Sequence, residues 1–125
     1  MIDFQNASFI KLGEIDPKQV IKNVQDLFIE GESVLSAFKG IRDYVVFTDK
    51  RVIAVNVQGI TGKKVDFTSL PYSKIVAYSV ETAGTFDLDA ELDLWFSGLG
   101  KVRFEFKGNV DIKKISQSIS YFILK

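Results

Sequence analysis

The chain has 125 residues, 46% hydrophobic and 26% charged, with sixteen basic residues balancing sixteen acidic ones. That length suits one domain with one core, and the zero formal charge leaves no global field to draw the protein onto nucleic acid or an anionic bilayer. With no Cys and no His, disulfides, thiolate nucleophiles, Cys/His zinc sites and the commonest general base are all excluded.

Met1 to Asn6 offers neither a basic leader nor a continuous apolar run. No later stretch approaches the ~20 apolar residues of a membrane span, so a soluble cytoplasmic protein is expected. The first element is then a helix over about 16–30. Val20, Ile21, Val24, Leu27 and Phe28 form one stripe at a 3.6 period, with Asp16 at the N-cap, Pro17 at the first helical position and Gly31 past the end.

From Ser33 the pattern changes to strands. Seven are expected, near 33–39, 42–48, 51–57, 63–70, 74–83, 88–97 and 101–107, spanning a β core of about 33–107. The hairpin from Arg42 to Val57 is its centre. Tyr44 and Val46 point one way, Val45 and Phe47 the other, and Val52 and Ala54 oppose Ile53 and Val55. Both faces therefore need apolar cover, from the chain itself or from a second copy. On this ground Tyr44, Val45 and Ile53 become candidate interface residues, with Val45 and Ile53 assigned to one face and Tyr44 to the other.

The last hairpin alternates cleanly, Ala90, Leu92, Leu94 and Phe96 inward against Val102, Phe104 and Phe106. Outside, Asp87, Asp89, Glu91 and Asp93 form an acidic row facing a mostly basic one of Lys101, Arg103, Glu105 and Lys107. An extended strand does not converge such carboxylates on one metal ion, so the row reads as solvated or subunit-facing. Trp95 stands out on that row. With Arg103 as its expected cross-strand neighbour, it is either lidded by the guanidinium or part of an oligomer contact. After Gly108 the period returns to helical over about 109–124, with Asn109 as N-cap and Ile112, Ile115, Ile119, Phe122 and Ile123 as the buried stripe.

The elements assemble into a mainly β (α+β) fold: a single domain built as a barrel or sandwich of seven antiparallel strands, capped by a C-terminal helix and preceded by an additional N-terminal helix. In detail the sequence resembles the bacterial pleckstrin homology (PH) domain family of small stand-alone proteins. The resemblance is carried by Phe47-Thr48-Asp49-Lys50-Arg51, by Gln58-Gly59-Ile60-Thr61-Gly62-Lys63-Lys64, by Pro71-Tyr72-Ser73-Lys74-Ile75 and by the stretch from Val80 to Leu92. It implies a PH-like barrel used for binding or scaffolding without catalysis, self-association into ring-like and even pentameric homo-oligomers, and an unidentified protein partner. It also directs attention to the first hairpin loop, where eukaryotic PH domains gather basic residues for phosphoinositides. Here that place holds Lys39 and Arg42, with Lys63 and Lys64 in the next loop but one. Two functions follow as expectations: a homo-oligomeric binding module, or a monomeric peripheral sensor of an anionic lipid headgroup or phosphate ligand. Nucleic acid is not expected as a partner, because no basic stripe interleaves with the aromatics. No catalytic residue, cofactor or metal site is expected either.

Overall fold

A computed structural model describes residues 1–5, 9–85 and 88–125. Its eight strands are β1 (Phe9–Ile15), β2 (Val34–Lys39), β3 (Tyr44–Thr48), β4 (Arg51–Gln58), β5 (Lys64–Pro71), β6 (Ile75–Glu81), β7 (Ala90–Phe96) and β8 (Gly100–Phe106). They form one sheet in the order β5-β4-β3-β2-β1-β8-β7-β6. The PH-like architecture with a C-terminal helix is as expected, but the described residues form eight strands rather than seven. The missing strand is β1. Its burial follows no simple alternation, because a bulge interrupts its pairing with β8, and so it carries no period-2 signal.

β1 runs antiparallel to β2 and parallel to β8, joining a four-strand meander (β2 to β5) to a three-strand one (β6 to β8). The main core lies against one face of the curled sheet, where Phe9, Phe38, Phe47, Phe104 and Phe106 are all at most 2% exposed. Their rings meet edge to face, with centroids 5.0 Å apart for Phe38 and Phe106, a geometry favoured by the ring quadrupoles. Helix α2 (Ile112–Ile123) closes this side with Ile112, Ile115 and Ile119. Its cap is Asp111, whose side chain accepts from the Lys114 amide. Asn109, the expected cap, lies in the preceding turn, because the helix begins three residues later than its polar signals suggested.

The central hairpin has two apolar faces, and both are covered within the protomer. Val45, Phe47, Val52 and Ala54 enter the main core, whereas Tyr44, Val46, Ile53 and Val55 form a second cluster with Val20, Val24 and Ala37. The register Tyr44↔Val55 and Val46↔Ile53 puts Tyr44 and Ile53 on the same face, which corrects their assignment to opposite faces. The cover comes from the N-terminal segment. It is not one helix over 16–30 but a 3-10 turn (Pro17–Gln19), a single α turn α1 (Ile21–Val24) and a second 3-10 turn (Gln25–Leu27). Asp16 caps it as expected, accepting from the Lys18 amide.

What locks this segment to the sheet is a buried ion pair. Arg51 at the start of β4 bonds both oxygens of Glu32, with Nε to Oε2 at 3.0 Å and Nη2 to Oε1 at 2.8 Å. The same guanidinium also reaches the Leu27 carbonyl and, at 3.0 Å, Ser69 Oγ. Thr48 donates to Glu32 Oε2 at 2.7 Å, and the Ile29 amide donates to Oε1 at 3.1 Å. Burial opposes ionisation of Glu32 more than any other single effect. Hydrogen bonds from Arg51, Thr48 and Ile29, with the charge of Arg51, together outweigh it and hold the carboxyl below its ordinary value.

Glu32→Gln is expected to destabilise the protein by about 1.5–3 kcal/mol at neutral pH, since it breaks a charge-assisted, largely desolvated pair. Because the folded value lies below the unfolded one, this stability is present above the ordinary glutamate range and is lost as pH falls through the folded value. Chemical denaturation at descending pH should therefore show a shallower acid loss in Glu32→Gln than in the native protein. Ile53→Ala should cost about 2–5 kcal/mol of protomer stability, read as a lower denaturation midpoint.

Candidate functional site

The sheet topology brings the ends of β2 and β4 to one edge of the molecule, so the β2–β3 turn and the β4–β5 loop are neighbours. Arg42 fastens them, with Nη2 donating to the Gly59 carbonyl at 2.6 Å. Gly62, at φ +68°, closes the loop over this contact, and a Cβ there would meet Val57 Cγ1 at 3.4 Å and Arg42 Nη2 at 3.5 Å. On the other side the turn presses on β1, where a Cβ at Gly40 would lie 3.0 Å from the Ile10 carbonyl. Glycine is favoured at Gly62 by its positive φ, and at Gly40 by the close Ile10 backbone carbonyl.

All four predicted basic residues, Lys39, Arg42, Lys63 and Lys64, lie at this end and are exposed. They do not converge on one point. Arg42 lines a cavity with Ile10, Lys11 and Val57, while Lys63 lines a different groove with Tyr44, Val65 and Phe67. Asp43, the nearest acidic neighbour in sequence, is already engaged: its carboxylate accepts from the Val57 amide at 2.9 Å and from Asn56 Nδ2 at 3.1 Å. Two isoleucines stand at the tips of these loops, Ile41 at 93% exposure and Ile60 at 104%. Neither attracts notice in the sequence, where each is one apolar residue beside a glycine.

Lys11 is a further cation that sequence reasoning missed. It sits in the bulge of β1 at φ +52°, the only non-glycine residue with positive φ among the described residues. A lysine inside an apolar stretch gives no hint of this, because the bulge arises from pairing with a strand nearly a hundred residues away.

Of the proposed interface residues, Tyr44, Val45 and Ile53 are at most 6% exposed within the protomer. Trp95 is half-buried and stands opposite Lys101. Arg103 stands opposite Asp93 instead, bonding it through Nε at 2.8 Å and Nη2 at 3.0 Å, with Glu91 at 3.4 Å. This replaces the expected Trp95–Arg103 pairing. The hydrogen bond to Asp93 pushes Arg103 further above its ordinary value, although burial opposes the charge. The acidic row is only partly matched by basic partners, since Glu91 faces Glu81 and Glu105 across the ladder. Burial first, and then the neighbouring carboxylates against the pull of Arg103, raise the Glu91 carboxyl. Asp87 of that row lies outside the described residues. Among the described residues no group of three or more acidic side chains could hold a metal ion, and no helix is long and apolar enough to cross a membrane.

Comparison with known proteins agrees with this architecture. The chain is 50% identical over 103 residues to the uncharacterized protein YjqA of Bacillus subtilis (strain 168), covering 81% of this chain and 82% of that one. A DUF1696 family protein with a pleckstrin-homology domain from Shewanella loihica PV-4 superposes with a TM-score of 0.80 at 39% identity, over 91% of this chain and 98% of that one. A pleckstrin homology domain from Shewanella amazonensis SB2B gives 0.69 at 41% identity, over 96% and 94%. Residues 3–123 match the family described as bacterial PH domain, and the chain belongs to that family.

Proposed function

We propose that the protein is a non-catalytic binding and assembly module whose PH-like protomers join through their sheet edges into a homo-oligomer, ring-like in form, that presents a repeated surface to a protein partner. The supporting observation is the strand order. β5 and β6 stand at the two ends of the sheet, each paired on one side only among the described residues. Each edge strand also carries an exposed apolar side chain, Phe67 on β5 at 38% and Val76 on β6 at 71%. A free edge offers unpaired backbone groups to another chain unless it is blunted. Because β5 and β6 are different surfaces, joining one to the other is head-to-tail, and such an assembly is finite only when it closes on itself.

Light scattering on a sizing column is expected to give a multiple of the 14.1 kDa chain mass. Phe67→Lys and Val76→Lys should each yield monomers with unchanged circular dichroism. Mixed together, they should form a dimer that grows no further, since each variant keeps one intact edge. A native protein that elutes as a monomer at micromolar concentration would exclude the assembly.

A second reading, a peripheral sensor of anionic headgroups, is favoured by the exposed pair Ile41 and Ile60 beside Lys39, Arg42, Lys63 and Lys64. Apolar tips flanked by cations suit an anionic interface, at about 1 kcal/mol per basic residue near the surface. Co-sedimentation with phosphatidylglycerol vesicles at low salt should then be lost when the four basic residues are changed to Glu. Absence of sedimentation by the native protein would exclude this reading.

A further inference from the structure

A cavity of about 480 Å³ opens between β1, the β2–β3 turn and Val57. Its lining is unusual for a strand, because Phe9, Ile10, Lys11 and Leu12 all contribute to it in succession. A regular strand turns alternate side chains to opposite faces, so at most every second residue could do so. The bulge makes the difference. From Phe9 to Leu12 β1 advances three residues while β8 advances two, from Phe104 to Phe106, and the extra residue is absorbed with Lys11 at φ +52°.

A lysine in that conformation is disfavoured, and glycine would adopt it freely. Backbone strain of this kind persists where the surroundings impose it, and it gathers at ligand clamps. Here its effect is to set a cation beside a pocket whose accessible apolar lining is Ile10 and Ile41, 47% and 93% exposed, with the half-buried Val57. Arg42 supplies a second cation at the wall, and among the described residues only its Nη2 is committed, to Gly59. The one carboxylate in the lining, Asp43, is occupied by the Val57 amide and the Asn56 side chain. An apolar lining with two cations, against one carboxylate whose oxygens are already hydrogen-bonded, has a definite complement.

We propose that this cavity binds a single-chain amphiphile with an acidic head, its chain lying on Ile10, Ile41 and Val57 and its carboxylate or phosphate held between Lys11 and Arg42. The volume falls within the range of small-molecule sites. The site depends on neither oligomer formation nor docking to a bilayer, and the occupant is a free molecule.

The test is titration calorimetry with decanoate below its micellar concentration, beside decylammonium, which has the same chain and the opposite charge. Decanoate should bind at least about tenfold more tightly, the discrimination of one charge-assisted contact. Lys11→Gly should lower decanoate affinity by about tenfold while leaving the thermal midpoint unchanged or higher, because it removes the cation and relieves the strained backbone together. Arg42→Gln should lower affinity similarly. Equal binding of the two amphiphiles, native affinity in both variants, or retention by phosphatidylglycerol vesicles without any binding of free decanoate would each overturn the proposal.

Discussion

The fold depends on β1. This strand is the seam between two meanders that would otherwise be separate sheets, and it is held antiparallel on one side and parallel on the other. Two of its apolar side chains, Phe9 and Leu12, are buried in the main core. Phe9 meets Phe104 of β8 edge to face, with ring centroids 5.6 Å apart. Neither meander has a closed edge at this position without β1, and an open edge is where a sheet is least secure.

A second constraint is the double-faced hairpin at the centre of the first meander. Its outer face is roofed by only three short turns, too short to be stable alone. Packing of Val20 and Val24 holds them in place, and the Glu32–Arg51 pair anchors their far end. The roof stops short of β5. Val57 and Val65 are only half-buried and Phe67 is exposed, so the apolar surface continues to the edge strand. Assembly, if it uses that edge, extends an apolar layer that the protomer already begins.

Much of this was legible in the residues. The last hairpin alternates cleanly, and its core positions from Ala90 to Phe106 are buried as their spacing indicates. The stripe of α2 needed only the 3.6 period. Legibility failed where the local pattern was overruled by distant contacts. β1 hides its periodicity in a bulge set by its pairing with β8. The 16–30 stripe is periodic enough for a helix, yet the chain breaks it into short turns that bring Glu32 to Arg51. Register was also beyond reach: Trp95 faces Lys101 because of where the 97–99 turn places the two strands, and composition says nothing of that. The basic loops were found from sequence, whereas Lys11 and the tip isoleucines needed the fold.

The position of β1 in the chain carries a kinetic consequence. It is the first strand in sequence and the most central in pairing, and its parallel partner β8 is the last. During synthesis the N-terminal segment emerges with half its hydrogen bonds unfulfilled, and the first meander can form against it, but the seam stays open until residues 100–106 have been made. Contacts this distant are slow to close because the loop entropy is lost before the pairing rewards it. Pairing of β1 with β8 is therefore an intrinsically slow contact beside the local hairpins of either meander, and that edge of β1 stays open until it is made.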